Sequence, residues 1–158
     1  MDGERVQKKI LTPRQARLKA ESYCAYQERA QQEVRDKLYE WGLHENEVEN
    51  IIVELISDNF LNEERFAKAY VSGKFRMKGW GMIKMKQHLK AKRVSEPLIK
   101  IALREIDLDE YEQKLEELIE KKVGNKAQKI SLAEKAKLIR YLQSKGYESH
   151  LIFEKLKA

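Results

Sequence analysis

The sequence contains few of the residues that fix crosslinked or turn-rich folds. A single cysteine, Cys24, cannot form an internal disulfide, so a disulfide-stabilised scaffold is excluded. Two prolines and seven glycines are too few for collagen, a low-complexity chain or a β-sandwich. No apolar run reaches the roughly 18 residues of a membrane span, and the N-terminus lacks the apolar core of a signal peptide. We therefore expect a soluble, cytoplasmic, all-helical protein with no membrane association.

Charge is abundant but unevenly distributed along the chain. The 32 Lys and Arg residues outnumber the 26 Asp and Glu residues, which gives a net charge of +6. Residues 65–95, here called the basic segment, contain no acidic residue and ten basic ones: Arg65, Lys68, Lys74, Arg76, Lys78, Lys84, Lys86, Lys90, Lys92 and Arg93. Removing these ten charges from +6 leaves −4 for the rest of the chain. Such a segment favours a polyanion or an acidic partner, although a solvated helical face is the alternative.

The spacing of leucines indicates an internal repeat. Leu38, Leu89 and Leu142 lie 51 and 53 residues apart. Each is followed four and five residues later by a similar pair of positions, and then by an amphipathic helix: Gly42-Leu43, Arg93-Val94 and Gly146-Tyr147. The spacing predicts an all-α fold of three tandem three-helix modules that form an elongated, curved helical repeat. We expect a flexible N-terminal tail over residues 1–11 and modules over 12–60, 61–107 and 108–158.

Capping residues and apolar stripes predict the individual helices. We expect helices to begin at Thr12-Pro13, Asn62 and Ser95, and at Ser131, which forms a capping box with Glu134. The first helix is predicted to continue through Ala30. The expected inner faces of the fourth and sixth helices comprise Phe66, Ala69, Tyr70, Gly73 and Met77, and Leu98, Ile101, Ala102 and Ile106.

An ordered set of motifs resembles the RecX family of regulatory proteins, which bind and modulate the RecA recombinase. The set comprises Asn62–Val71, Lys74–Gly81, Ile83–Met85, Leu89 and Lys92–Val94, with Tyr23-Cys24, Arg29, Val34-Arg35, Lys37-Leu38 and Gly42 in the first module. The likeness covers residues 12–106 well and the third module more loosely. Arg93 replaces the small residue usual in the family, so we expect its helix to end without an easy left-handed turn.

The resemblance implies a regulator of the RecA–single-stranded DNA filament that acts mainly by inhibition. Binding in the filament groove across more than one protomer would lower strand exchange and, indirectly, ATPase activity. The implied roles are regulation of DNA repair, homologous recombination and the SOS response. We expect RecA and single-stranded DNA as partners, with the DNA contacted directly or through the filament, and a monomeric protein.

The predicted partner and nucleic-acid contacts all lie in the basic segment. They are Lys74, Arg76, Lys78, Trp80, Lys84, Lys86, Lys90, Lys92 and Arg93. At helical spacing, Lys86, Lys90 and Arg93 form one basic ridge, Lys84 projects from another face, and Lys74 and Lys78 stack one turn apart. Trp80, between two glycines, is either a packed wedge, which we favour, or an exposed aromatic that contacts a base or a protein pocket.

Signatures of catalysis are missing from the sequence. Gly79-Trp80-Gly81 lacks the further glycine and the Gly-Lys-Ser/Thr ending of a P-loop. His44, His88 and His150 do not have metal-ligand spacing, and Cys24 is predicted to be a buried, inert thiol. We therefore predict a protein that is not an enzyme and holds no cofactor or metal.

Two alternatives to a filament regulator stay open. One is a protein that binds free nucleic acid through a helix-turn-helix-like pair, the fifth and sixth helices. Ser95-Glu96-Pro97 opens the sixth helix, which would read the bases, with an acid and a proline, and this disfavours direct base readout. The other is a helical-repeat scaffold for a different partner.

Overall fold

The computed structural model describes residues 10–126 and 129–157 and, within them, contains helices and no strands. The helices are α1 (Pro13–Tyr26), α2 (Gln31–Glu40), α3 (Glu45–Ser57), α4 (Glu63–Lys78), α5 (Met82–Ala91), α6 (Glu96–Leu103), α7 (Leu108–Val123), α8 (Leu132–Ser144) and α9 (Ser149–Leu156), with a short 3-10 turn at Gly124–Lys126. The predicted all-α class is confirmed. Of the predicted N-terminal tail, residues 1–9 lie outside the described residues.

The predicted helix starts have the expected capping contacts at three positions. Thr12 and Gln15 form a reciprocal capping box at α1. Asn62 Oδ1 accepts the Arg65 backbone N–H at 2.9 Å, and Ser131 Oγ accepts the Glu134 N–H at 3.1 Å. These side chains satisfy N–H groups that a helix start leaves without partners.

The end of the first helix differs from the prediction. α1 ends at Tyr26 rather than near Ala30, and Gln27 has extended backbone angles. Arg29 Nε donates to the Tyr23 carbonyl at 2.9 Å and so satisfies a C=O group in the last turn of α1. Ala30 is instead the N-cap residue of α2, where the Glu33 carboxylate accepts its N–H. The chain therefore uses residues 27–30 as a connection between two helices.

The chain forms two compact units, the first ending at Phe66 and the second beginning at Ala67. In the first unit, α1–α3 pack around a core that includes Ala16, Ala20, Val34, Leu38 and Leu55. Cys24 lies in this core and is 6% exposed, as predicted for a structural thiol. Burial raises its pKa to about 11, which keeps the thiol protonated at neutral pH.

The second unit contains the predicted second and third modules from Ala67 onward. Its buried side chains include Val71, Phe75, Met85, Leu89, Ile99, Ala102, Tyr111, Leu115, Leu142, Tyr147 and Ile152. Three predicted core positions are wrong, because Met77 is 86% exposed, Ile101 is 37% exposed and Ala69 is also exposed. The face of α4 that is buried carries Val71 and Phe75, and Ile99 rather than Ile101 shares a face with Ala102.

The three predicted repeat turns have the same backbone conformation. Gly42, Arg93 and Gly146 have positive φ angles of 92°, 62° and 101°. In each turn the next residue donates its N–H to the carbonyl of the leucine five positions earlier: Leu43 to Leu38 at 3.2 Å, Val94 to Leu89 at 3.1 Å and Tyr147 to Leu142 at 3.2 Å. The expectation that Arg93 prevents a left-handed turn is therefore wrong. The turn imposes this conformation on an arginine, at a cost of about 1–2 kcal/mol.

Two glycines bring the turn after α8 against the start of α5. Gly81 donates its N–H to the Lys145 carbonyl at 2.7 Å, and Ile83 donates to the Gly146 carbonyl at 3.0 Å. A Cβ atom on Gly81 would lie 2.4 Å from the Gly146 carbonyl, so the contact requires glycine. These bonds join the second and third modules within one unit. Of the helices that the structure describes, none is long and apolar enough to cross a membrane.

Candidate binding site in the basic segment

The basic segment extends from the first turn of α4 to the turn before α6. Its first two cations have partners within their own unit. Arg65 binds Glu28 at 2.7 Å and donates to the carbonyls of Asn59 and Phe60. Lys68 pairs with Glu105 at 3.1 Å. These two side chains stabilise local structure, and the nine predicted contacts all lie beyond them.

Trp80 is the centre of a cluster of cations and aromatic rings, here called the Trp80 cluster: Tyr70, Lys74, Trp80, Lys84 and His88. The Nζ atoms of Lys84 and Lys74 lie 4.5 and 5.0 Å from the centroid of the Trp80 ring. The His88 ring lies 4.6 Å and the Tyr70 ring 6.4 Å from it. The indole is half-buried, so Trp80 is both packed and accessible, and the two predicted alternatives are combined.

The turn between α4 and α5 places Trp80 over the lysines. Gly79 has a φ of 66°, and the N–H groups of Gly79 and Trp80 donate to the carbonyls of Phe75 and Lys74. The chain thereby reverses immediately after α4 and returns the indole to that helix. Lys84 and His88, one turn apart on α5, approach the ring from the other helix.

The Trp80 cluster has a positive electrostatic environment. Partial desolvation, followed by repulsion from Lys84, Lys74 and Lys92, lowers the pKa of His88. Within the described part of the chain, no acidic side chain forms a salt bridge with Lys74 or Lys84. The cluster therefore presents an aromatic face and two ammonium groups that an anionic partner can contact.

The predicted ridge of Lys86, Lys90 and Arg93 has a different environment. Lys86 Nζ lies 3.5 Å from a carboxylate oxygen of Glu96 at the start of α6. The hydrogen bond from Lys86, with the charges of Lys90 and Lys86, lowers the pKa of Glu96. Lys90 and Arg93 are exposed. Since Glu96 offsets part of the positive charge, the ridge is less favourable for an anion than the Trp80 cluster.

The remaining predicted contacts, Arg76 and Lys78, are exposed at the end of α4 and line a cleft with residues of α7 and α8. The nine residues thus fall into three groups: the Trp80 cluster with Lys92, the ridge beside Glu96, and the end of α4. Sequence reasoning missed the lysines of the third module that complete the cleft. The adjacent pair Lys121-Lys122 was their only local signal. Among the described residues, no three His, Cys, Asp or Glu side chains come together as a metal ion would require.

Comparison with known proteins gives consistent matches across the chain. Family models described as the first, second and third three-helix domains of RecX match residues 16–55, 62–103 and 109–156. The chain is 34% identical over 132 residues to a Regulatory protein RecX of Halalkalibacterium halodurans, covering 84% of this chain and 50% of that protein. It is 35% identical over 124 residues to one of Clostridium perfringens, covering 76% of this chain and 57% of that protein. The chain spans about half the length of these curated relatives.

A solved structure shares the fold. The crystal structure of RecX from Lactobacillus salivarius matches with a TM-score of 0.81 and 24% identity, covering 92% of this chain and 94% of that chain. The predicted architecture of tandem three-helix modules is confirmed by this match together with the three domain models.

Proposed function

This chain belongs to the RecX family of regulatory proteins, and on that premise we propose that it binds the RecA–single-stranded DNA filament and inhibits its activity. In this proposal the protein acts by binding and catalyses no reaction. A bound regulator obstructs extension of the filament and strand exchange, and ATP turnover by the recombinase falls as a consequence. The protein thereby limits recombination during DNA repair.

The observation that carries the proposal is the Trp80 cluster. A filament of a recombinase on single-stranded DNA offers acidic protein surface and phosphate groups, both of which attract ammonium groups. Lys74 and Lys84 flank a half-buried indole and form no salt bridge within the described residues. The indole adds a rigid apolar surface of the kind that forms binding hot spots. Arg76, Lys78, Lys90, Lys92 and Arg93 extend the positive surface around this centre.

Charge reversal tests the proposal on defined faces of the segment. We expect a Lys74→Glu/Lys84→Glu variant to lose co-sedimentation with preformed filaments and to lose inhibition of strand exchange. A Lys86→Glu/Lys90→Glu variant removes the same charge from the ridge, and we expect a smaller loss because Glu96 already offsets Lys86. Circular dichroism of each variant checks that its helical content is that of the wild type.

A matched control separates specific contacts from net charge. Lys100 and Lys157 are exposed lysines outside the basic segment. A Lys100→Glu/Lys157→Glu variant has the same change in net charge, and we expect it to bind filaments like the wild type. If the Lys74→Glu/Lys84→Glu variant inhibits strand exchange at the wild-type dose, the Trp80 cluster is not the contact.

Salt and bare DNA provide the second test. Because ion pairing dominates the proposed contact, filament affinity falls steeply as salt rises. We expect filaments to compete with bare single-stranded DNA for the wild-type protein. Tighter binding to bare DNA than to filaments would instead favour the free nucleic-acid binder. The first residue of α6 supports the filament regulator over the free nucleic-acid binder. A helix that reads bases needs hydrogen-bond donors near its start, whereas α6 begins with the carboxylate of Glu96, which pairs with Lys86.

A further inference from the structure

A second concentration of positive charge lies in the second unit, outside the Trp80 cluster. The end of α4, the outer face of α7 and the end of α8 enclose an open cleft of about 690 Å³. Its lining contains six basic residues: Arg76, Lys78, Lys114, Lys121, Lys122 and Lys145. One carboxylate, that of Glu117, also lines the cleft, 3.8 Å from Lys114 Nζ. The lining therefore has a large excess of positive charge.

Side-chain contacts connect the elements that line this cleft. Lys145 Nζ donates to the Lys78 carbonyl at 2.7 Å, which places the ammonium group at the C-terminal end of α4. The buried Tyr147 hydroxyl donates to the Gly79 carbonyl at 3.0 Å. Between α7 and α8, Lys122 Nζ lies 4.2 Å from the centroid of the Tyr141 ring. These contacts link the helices and the turn that line the cleft.

Three other cations of the cleft, with Lys84 from outside its lining, act on Lys145. Desolvation, followed by repulsion from Lys84, Lys121, Lys78 and Lys122, lowers the pKa of Lys145. Four ammonium groups from α4, α5 and α7 thus act on a fifth from the turn after α8. Folding brings these like charges together against their mutual repulsion, which an anion bound between them would relieve.

We propose that this cleft is a phosphate-binding site that takes two or more adjacent phosphate groups. Phosphate matches the lining because each group carries a high negative charge and several acceptor oxygens, which lysine ammonium groups bind as point charges. A free oligophosphate, such as the triphosphate of a nucleotide, and the backbone of single-stranded DNA share this chemistry. The site goes beyond the proposed regulation of the filament, because it requires no recombinase.

The full chain tests the site with two probes, inorganic tripolyphosphate by calorimetry and a fluorescent oligothymidylate by anisotropy. Lys121 and Lys122 are exposed, so a Lys121→Gln/Lys122→Gln variant is expected to fold normally. We expect it to bind tripolyphosphate at least about tenfold more weakly than the wild type. With oligothymidylate, the slope of log affinity against log salt falls by about 1.4, since each single-stranded phosphate contact contributes about 0.7.

A Lys100→Gln/Lys157→Gln variant has the same net charge and is expected to match the wild type. Displacement of oligothymidylate by tripolyphosphate identifies the DNA backbone as a source of the phosphates. Tripolyphosphate binding without oligothymidylate binding identifies a free oligophosphate. Equal affinity of the Lys121→Gln/Lys122→Gln and control variants for both probes, or no binding of either probe at low salt, overturns the proposal. None of these assays contains filaments, so a negative result would not contradict the proposed binding to the filament, which the charge-reversal variants test separately.

Discussion

Replacing Gly81 by alanine tests how the second and third modules are held together. The added Cβ would lie 2.4 Å from the carbonyl carbon and oxygen of Gly146 and 2.6 Å from the Tyr147 nitrogen. These are backbone atoms, so the turn itself must move. Overpacking costs about 1–3 kcal/mol. Loss of the N–H bonds donated by Gly81 and Ile83 costs about 1 kcal/mol each.

The expected total is about 3–5 kcal/mol, a large part of the 5–15 kcal/mol that is typical of a folded domain. The melting temperature, followed by circular dichroism, should fall by roughly 6–20 °C. Gly73 provides the matched control, because a Cβ there meets no atom within 4 Å in α4. We expect Gly73→Ala to stabilise the protein by about 0.5–1 kcal/mol. Equal stability of Gly81→Ala and wild type would refute the role of this contact.

Three further substitutions test individual features. Arg93→Gly should stabilise the protein by about 0.5–1 kcal/mol in urea denaturation, because it relieves a left-handed arginine; a destabilised variant would contradict this reading. Tyr111→Phe should destabilise the protein by about 2–3 kcal/mol. The Tyr111 hydroxyl accepts the Met82 N–H at 2.8 Å and donates to Glu148 at 2.6 Å, and both bonds would be lost. An unchanged urea midpoint would exclude that role. Burial raises the pKa of Cys24 from 9.0 to about 11, so its contribution to stability is present below pH 9 and is lost as pH rises through 11. Relative to Cys24→Ala, the wild type should lose roughly 2–3 kcal/mol over this range, and parallel stability curves would count against the shift.

Local features of the fold were predictable because local chemistry determines them. Thr12, Asn62 and Ser131 cap helices through bonds to residues three positions away, which a sequence displays directly. The exposure of Met77 was not predictable in the same way. The burial of a helix face depends on the neighbours packed against it, and α4 buries Phe75 instead.

The candidate sites were likewise predictable where residues close in sequence determine them, and not where tertiary contacts do. The basic segment was evident from composition, and the turn residues around Trp80 indicated its reversal. The ion pair of Lys86 with Glu96 and the contact of Lys145 with the Lys78 carbonyl depend on tertiary structure. The second of these joins residues 67 positions apart, a separation at which no periodicity in the sequence carries information. Arg93 shows that a repeat can impose a conformation that its residue type disfavours.

The bonds between the α5 start and the turn after α8 limit how this protein can be rearranged. Repeat proteins commonly tolerate exchange of one repeat for another, because each contacts its neighbour through generic apolar surface. Here the turn after α8 makes specific polar contacts with the end of α4 and the start of α5. The Lys145 carbonyl accepts the Gly81 N–H, and the Lys145 ammonium and the Tyr147 hydroxyl donate to the carbonyls of Lys78 and Gly79. A chimaera that replaced the last repeat with a copy of the first would place Trp41 and Leu43 at the positions of Lys145 and Tyr147. It would therefore leave the Lys78 and Gly79 carbonyls without their side-chain donors. The two repeats are therefore expected to be inherited and transplanted as one unit.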